Sequence, residues 1–138
     1  MSAILASSIV ADTHTLIWAL FDPSRLSVAA ASALASAETA RAPVYVSSVS
    51  IVELRYLVEK GKFAEADYDA VLKVLRDPET APTVVALDTE IADSLKDIVR
   101  ADVPDMPDRI IAATARYLSL PLVTCDRQIQ ASGIPTIW

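Results

Sequence analysis

Apolar residues fall along this chain in two rhythms: short β-branched runs, and longer stretches where apolar positions recur every three or four residues. The first run, Ser8-Ile9-Val10-Ala11, ends at Asp12 and predicts a buried strand. Thr13 to Phe21 predicts a helix with Leu16, Ala19 and Leu20 on one side, broken by Asp22-Pro23-Ser24. Ser27 is placed to cap an Ala-rich helix to about Ala40, and Val44-Tyr45-Val46 predicts the second strand. Ser47-Ser48 can cap a helix from Val49 to Lys60 that Gly61 closes. Another helix is expected from about Ala64 to Arg76, with Pro78 and Pro82 marking the loop after it. Thr83-Val84-Val85-Ala86 predicts a third strand, and Asp88 a capped helix to about Arg100.

The stretch from Asp105 to Leu118 predicts a helix with an acidic start. The Asp105 carboxylate suits the N-cap, and Pro107 the first turn, where a missing N–H costs little. Ile111, Ala115 and Leu118 recur at helical spacing behind them. Leu122-Val123-Thr124 predicts a fourth strand ending at Cys125-Asp126. Pro135-Thr136-Ile137 predicts a short edge strand, the place where proline is tolerated. Strands alternating with helices imply an α/β fold, with a mostly parallel sheet of four to five strands covered by helices on both faces. No repeat or linker divides the chain, so residues 1–138 are expected to form one domain.

Composition narrows this picture. At 138 residues, 53% hydrophobic and mean hydropathy +0.38, the chain has a full core and is not disordered. It contains no apolar run near the roughly 20 residues that span a bilayer, so no membrane role is expected. Met1 to Val10 is apolar without a basic start and runs on into Asp12, which predicts a short tail and a strand rather than a signal peptide. The lone Cys125 excludes an internal disulfide and fits a reducing cytoplasm. With one cysteine and one histidine, a zinc site of the Cys/His kind is also excluded. Any metal needs oxygen ligands, which selects magnesium, manganese or calcium.

The net charge of −6 and pI near 4.6 argue against broad electrostatic binding to nucleic acid. They leave a nuclease open, because metal-binding carboxylates supply part of that charge and the ion reverses their field. The same balance suits a basic protein partner.

In open α/β sheets, ligands bind beyond the carboxyl ends of the strands, where strand order reverses. Asp12 follows the first strand and Asp126 the fourth, so both belong on that edge. Glu53 interrupts an apolar stripe made by Val49 and Leu57 on its helix, and Asp108 occupies a first helical turn. Four acids placed together repel one another unless a cation sits among them. Each also has a plainer role open to it. Asp12 can cap the next helix, Glu53 can pair with a surface cation, Asp108 can answer the helix dipole, and Asp126 can start a turn. Trp18 and Trp138 read as core or interface rather than as base-stacking platforms, and His14 as structural.

Four stretches in order resemble a known family. They are Asp12-Thr13-His14-Thr15-Leu16-Ile17-Trp18, Ser47-Ser48-Val49-Ser50-Ile51-Val52-Glu53-Leu54, Pro107-Asp108-Arg109-Ile110-Ile111-Ala112-Ala113-Thr114-Ala115, and Leu122-Val123-Thr124-Cys125-Asp126. Together they resemble the PIN domain, and within it the VapC-type ribonuclease toxins of bacterial toxin–antitoxin pairs. The resemblance implies a three-layer α/β/α fold and a metal-dependent endoribonuclease. It gives Asp12, Glu53, Asp108 and Asp126 as the acids that hold Mg²⁺ or Mn²⁺, with Thr13 and Thr124 supporting them by hydrogen bonding. It also implies an RNA substrate, a cognate antitoxin that blocks the site, a homodimer and a cytoplasmic location. Many relatives read Asp-Pro-x-Asp where this chain has Asp105-Met106-Pro107-Asp108, which leaves Asp105 either a supporting residue or a cap.

Two rival readings come from other classes. Asp12-Thr13-His14-Thr15 superficially resembles the nucleophile loop of haloacid dehalogenase-type phosphate-transfer enzymes, but that loop requires a second Asp where His14 stands. A PIN-like interaction module without activity is the other, and retention of all four acids counts against it.

Overall fold

A computed structural model describes residues 6–138, and the tail expected at residues 1–5 lies outside the described residues. The chain runs through β1 (Ile9–Ala11), α1 (Thr13–Phe21), a 3₁₀ turn (Pro23–Arg25), α2 (Val28–Ala40), β2 (Val44–Ser47) and α3 (Ser48–Glu59). It continues through α4 (Glu65–Arg76), β3 (Pro82–Val85), α5 (Thr89–Ser94) and a second 3₁₀ turn (Leu95–Asp97). The last elements are α6 (Met106–Leu118), β4 (Leu122–Val123), α7 (Arg127–Ala131) and β5 (Thr136–Ile137).

The five strands form one sheet in the order β3-β2-β1-β4-β5, with every pairing parallel. A parallel sheet needs cover on both faces, and β1 shows why its residues are apolar throughout: all three are buried. Successive side chains point to opposite faces. Ile9 and Ala11 pack with Ala30 and Ala37 of α2, whereas Val10 packs with Ile111 and Ala112 of α6. Leu122 and Val123 of β4 divide in the same way. Leu16, Val46, Leu54 and Val71 form a third cluster that ties α1, α3 and α4 to β2. The result is the expected three-layer α/β/α arrangement.

Strand order reverses at β1, which has β2 on one side and β4 on the other. Ala11 is in register with Val123, so the residues just past β1 and β4 emerge side by side.

Three local expectations need correction. The helix capped by Asp88 ends at Ser94 rather than near Arg100, because the chain tightens into a 3₁₀ turn. The Arg109 guanidinium then donates to the Ile98 and Leu95 carbonyls at 3.0 and 2.8 Å, replacing the helical bonds. Pro82 belongs to β3 rather than to the preceding loop, which an edge strand allows because it pairs on one side only. Asp126 starts the short helix α7, not merely a turn. Among the described residues no helix is long and apolar enough to cross a membrane.

Candidate functional site

Asp12 and Asp126 occupy equivalent places at the ends of adjacent strands. The Asp12 amide continues the ladder to the Val123 carbonyl at 3.2 Å, and the Thr15 hydroxyl donates to that same carbonyl at 2.9 Å. Asp12 Oδ1 accepts from the Thr15 amide at 2.9 Å, and Asp126 Oδ1 accepts from the Ile129 amide at 2.9 Å. Each acid therefore caps the helix that follows it, and each uses one carboxylate oxygen to do so. Capping and membership of an acidic site are compatible here, because the cap holds the side chain at the sheet edge.

Glu53 reaches the same edge from α3. Its Oε1 accepts a 2.6 Å hydrogen bond from the Thr13 hydroxyl, and Thr13 Oγ1 lies 2.7 Å from Ser50 Oγ. A hydroxyl has one proton. Thr13 gives its proton to Glu53, so Ser50 donates to Thr13 in turn. Thr13 and Ser50 are buried, and burial raises the Glu53 carboxyl above its ordinary range. The Thr13 bond opposes that rise, Asp105 and Asp12 add to it, and the nearby His14 imidazole opposes it.

Asp108 is the most perturbed acid. It sits half-buried on the first turn of α6, and its pKa is raised to about 7. Burial is the largest cause, followed by the negative charges of Asp105, Asp126, Glu53 and Asp12. One carboxyl thus registers all four of the other acids singled out from the sequence. Asp105 is the exposed N-cap of α6, accepting from the Asp108 amide at 3.2 Å, so it caps and adds charge at once.

Thr124 acts differently from Thr13. Its buried hydroxyl accepts from the Asp126 amide at 3.0 Å, which orients the backbone of the acid rather than its carboxylate. Two residues here went unassigned in the sequence reading, Ser50 and Thr15. Ser50 stands three residues before Glu53 on α3, a spacing that places both on one helix face. Thr15 has no comparable local signal, since its partner, the Val123 carbonyl, is 108 residues away. Two arginines of α6 are committed elsewhere: Arg109 to the Leu95 and Ile98 carbonyls, and Arg116 to Asp97 at 3.1 Å.

The donor set is all carboxylate, the chemistry that hard divalent cations take. Asp108 supplies the test of fit: a carboxyl held near neutrality by burial and four like charges returns to carboxylate when a cation joins it. Among the described residues no three Asp, Glu, His or Cys side chains are grouped closely enough to hold one ion. By charge and donor chemistry the residues fit such an ion.

A parallel sheet that reverses order at β1, with Asp12 and Asp126 just past its two adjacent strand ends, defines a three-layer α/β/α domain whose candidate site lies where open α/β sheets bind ligands. The chain belongs to the PIN domain family, whose model matches residues 9–133. It is 28% identical over 135 residues to Ribonuclease VapC22 of Mycobacterium tuberculosis, covering 96% of this chain and 99% of that protein. The fold is shared with VapBC2 from Rickettsia felis, solved bound to a DNA fragment from its promoter. That match has a TM-score of 0.69 and 14% identity, and covers 95% of this chain and 99% of the other. FitAcB from Neisseria gonorrhoeae also matches, with a TM-score of 0.61 and 22% identity, covering 93% and 95% of the two chains. Family membership sets aside the haloacid dehalogenase reading.

Proposed function

We propose that this protein is a VapC-type toxin: a metal-dependent endoribonuclease that hydrolyses RNA phosphodiester bonds and is neutralised by a cognate antitoxin. The observation that carries this is the Asp108 carboxyl, half-buried and raised to about 7 among four other acids at the β1–β4 reversal. Strongly perturbed carboxyls at such an edge mark functional sites. The name of the M. tuberculosis relative and the toxin–antitoxin assemblies among the structural neighbours support the same reading.

Asp12, Glu53, Asp108 and Asp126 would hold Mg²⁺ or Mn²⁺. The chemistry supplied by a bound divalent ion is activation of water and neutralisation of charge on the phosphate. The chain's own residues set the positions. The Ser50–Thr13 relay holds Glu53, the caps of α1 and α7 hold Asp12 and Asp126, and the Thr124 hydroxyl holds the turn into Asp126. Thr13 thus serves as a positioning residue. A single domain and a homodimer complete the proposal.

The separation of the acids in this structure is the observation behind a second reading, an inactive PIN-like interaction module. One experiment decides between them. Purified protein, freed of any co-purified partner, is incubated with total cellular RNA and Mn²⁺ or Mg²⁺, beside Asp12→Asn and Asp108→Asn. The ribonuclease reading expects cutting by the parent that EDTA and both substitutions abolish. A parent that leaves RNA intact with either metal overturns it in favour of the interaction module.

A further inference from the structure

The chain has two tryptophans, and they face each other: the rings of Trp18 and Trp138 lie 5.7 Å apart, tilted by 56°. His14, one turn earlier on α1, lies 5.6 Å from the Trp18 ring, and the Arg25 guanidinium sits 4.5 Å above it. His14 and Arg25 are exposed, and both indoles are partly exposed. Each member of this row reaches solvent, although Trp138 also packs against the core cluster formed by β1, α2 and β4.

The row borders the acids. His14 follows Thr13, the donor to Glu53. Arg25 acts on Cys125, the residue between Thr124 and Asp126, which also registers Asp12 and Asp126. Trp138 follows β5, which pairs with β4, so it emerges on the sheet edge that carries Asp126.

Beside these acids, Arg25 supplies a fixed positive charge. The ion pairs among the described residues occupy Arg55, Lys96 and Arg116, and leave Arg25 without a carboxylate partner. An unpaired guanidinium offers a fork of donors for a phosphate, and indole faces stack on bases of any sequence. Resting on the ribonuclease reading above, we propose that His14, Trp18, Arg25 and Trp138 form a subsite for single-stranded RNA beside the scissile bond. On binding, Arg25 leaves the Trp18 face for a backbone phosphate, and a base takes its place on the indole. His14 extends the row toward Glu53.

Because both tryptophans lie in this row, intrinsic tryptophan emission reports on it alone. The test uses the full chain with Asp108→Asn, which keeps the strand uncut, and a mixed-sequence single-stranded RNA dodecamer labelled with fluorescein. The dodecamer quenches tryptophan emission, and the same sequence as a duplex does not. In that background Trp18→Leu weakens binding by about tenfold in anisotropy, the scale of one stacked base. Arg25→Ala weakens it as well. Arg25 is exposed on a 3₁₀ turn, so that variant reads out even where Trp18→Leu folds poorly. Unquenched emission and unchanged affinity in the variants, with RNA cleavage by the parent intact, overturn the subsite alone. Unchanged RNA affinity with lost capture of a co-purifying protein makes the row a protein interface and also overturns it. A parent that neither cuts nor binds RNA brings down the ribonuclease reading and this subsite with it.

Discussion

Thr13 Oγ1 lies 2.6 Å from Glu53 Oε1 and donates its proton there, joining the first turn of α1 to the middle of α3. The bond does two things at once. It ties two helices together at the site edge, and it stabilises the charged form of an acid that burial works to neutralise. Thr13→Val keeps the shape and removes the hydroxyl, leaving Ser50 and Glu53 without their shared partner. The expected loss is about 1–3 kcal/mol of unfolding free energy in a urea titration. RNA cleavage falls with it, and Thr13→Ser restores both. Unchanged stability in Thr13→Val would show that the bond has no structural weight.

The Asp108 carboxyl makes stability depend on pH. Its pKa is about 7 in the fold against an ordinary value of 3.8, so the native state binds more protons than the unfolded chain between those values. Stability contributed by this group therefore falls as pH rises from about 4 to about 7, and is level above that. The metal-free protein should melt at a lower temperature at pH 8 than at pH 5, and Asp108→Asn should flatten the difference. Mn²⁺ added at pH 8 should raise the melting temperature of the parent more than that of Asp108→Asn. Differential scanning fluorimetry across pH, with and without Mn²⁺, reads both.

Arg109 sits beside Asp108 in sequence, yet its neighbour's place in the site does not carry over to it. The structure instead sends its guanidinium to the Ile98 and Leu95 carbonyls, closing the turn before α6. Arg109→Ala should therefore lower stability by about 1.5–3 kcal/mol, the range for hydrogen bonds to a charged group. It should leave the affinity for single-stranded RNA unchanged. A loss of RNA affinity at full stability would assign Arg109 to the substrate.

α6 ends on Ser119 in the left-handed region at φ 57°, with the Ser119 and Leu120 amides closing onto the Arg116 and Ala115 carbonyls. A side chain there is strained, and glycine is the usual occupant. Ser119→Gly relieves about 1–2 kcal/mol of left-handed strain against a smaller unfolded-state entropy cost, and should raise unfolding free energy by roughly 0.5–1 kcal/mol. Chemical denaturation checks this, with RNA cleavage unaltered.

Much of the framework was legible because it is written in contiguous residues. The Ser27, Asp88 and Asp105 caps were readable from side chains that bond amides three residues on, and each does so. The boundaries that failed are those where a distant group intervenes. Nothing near Ser94 announces the end of α5, since Arg109 replaces its helical bonds from 14 and 11 residues away. Pro82 read as a loop residue because its freedom to join β3 depends on that strand lying at the sheet edge.

By itself, the sequence determined where strands stop, where helices start, and that acids stand at those junctions, because periodicity and capping act within a turn or two of chain. Only the tertiary structure decided that β1 lies against β4, which sets Asp12 near Asp126 across more than a hundred residues. It also decided that Thr13 bonds Glu53 from 40 residues away, and that Asp108 is buried deeply enough among like charges to hold its proton near neutral pH. Strand order and depth of burial are sums over distant contacts, and desolvation and charge repulsion follow from those sums.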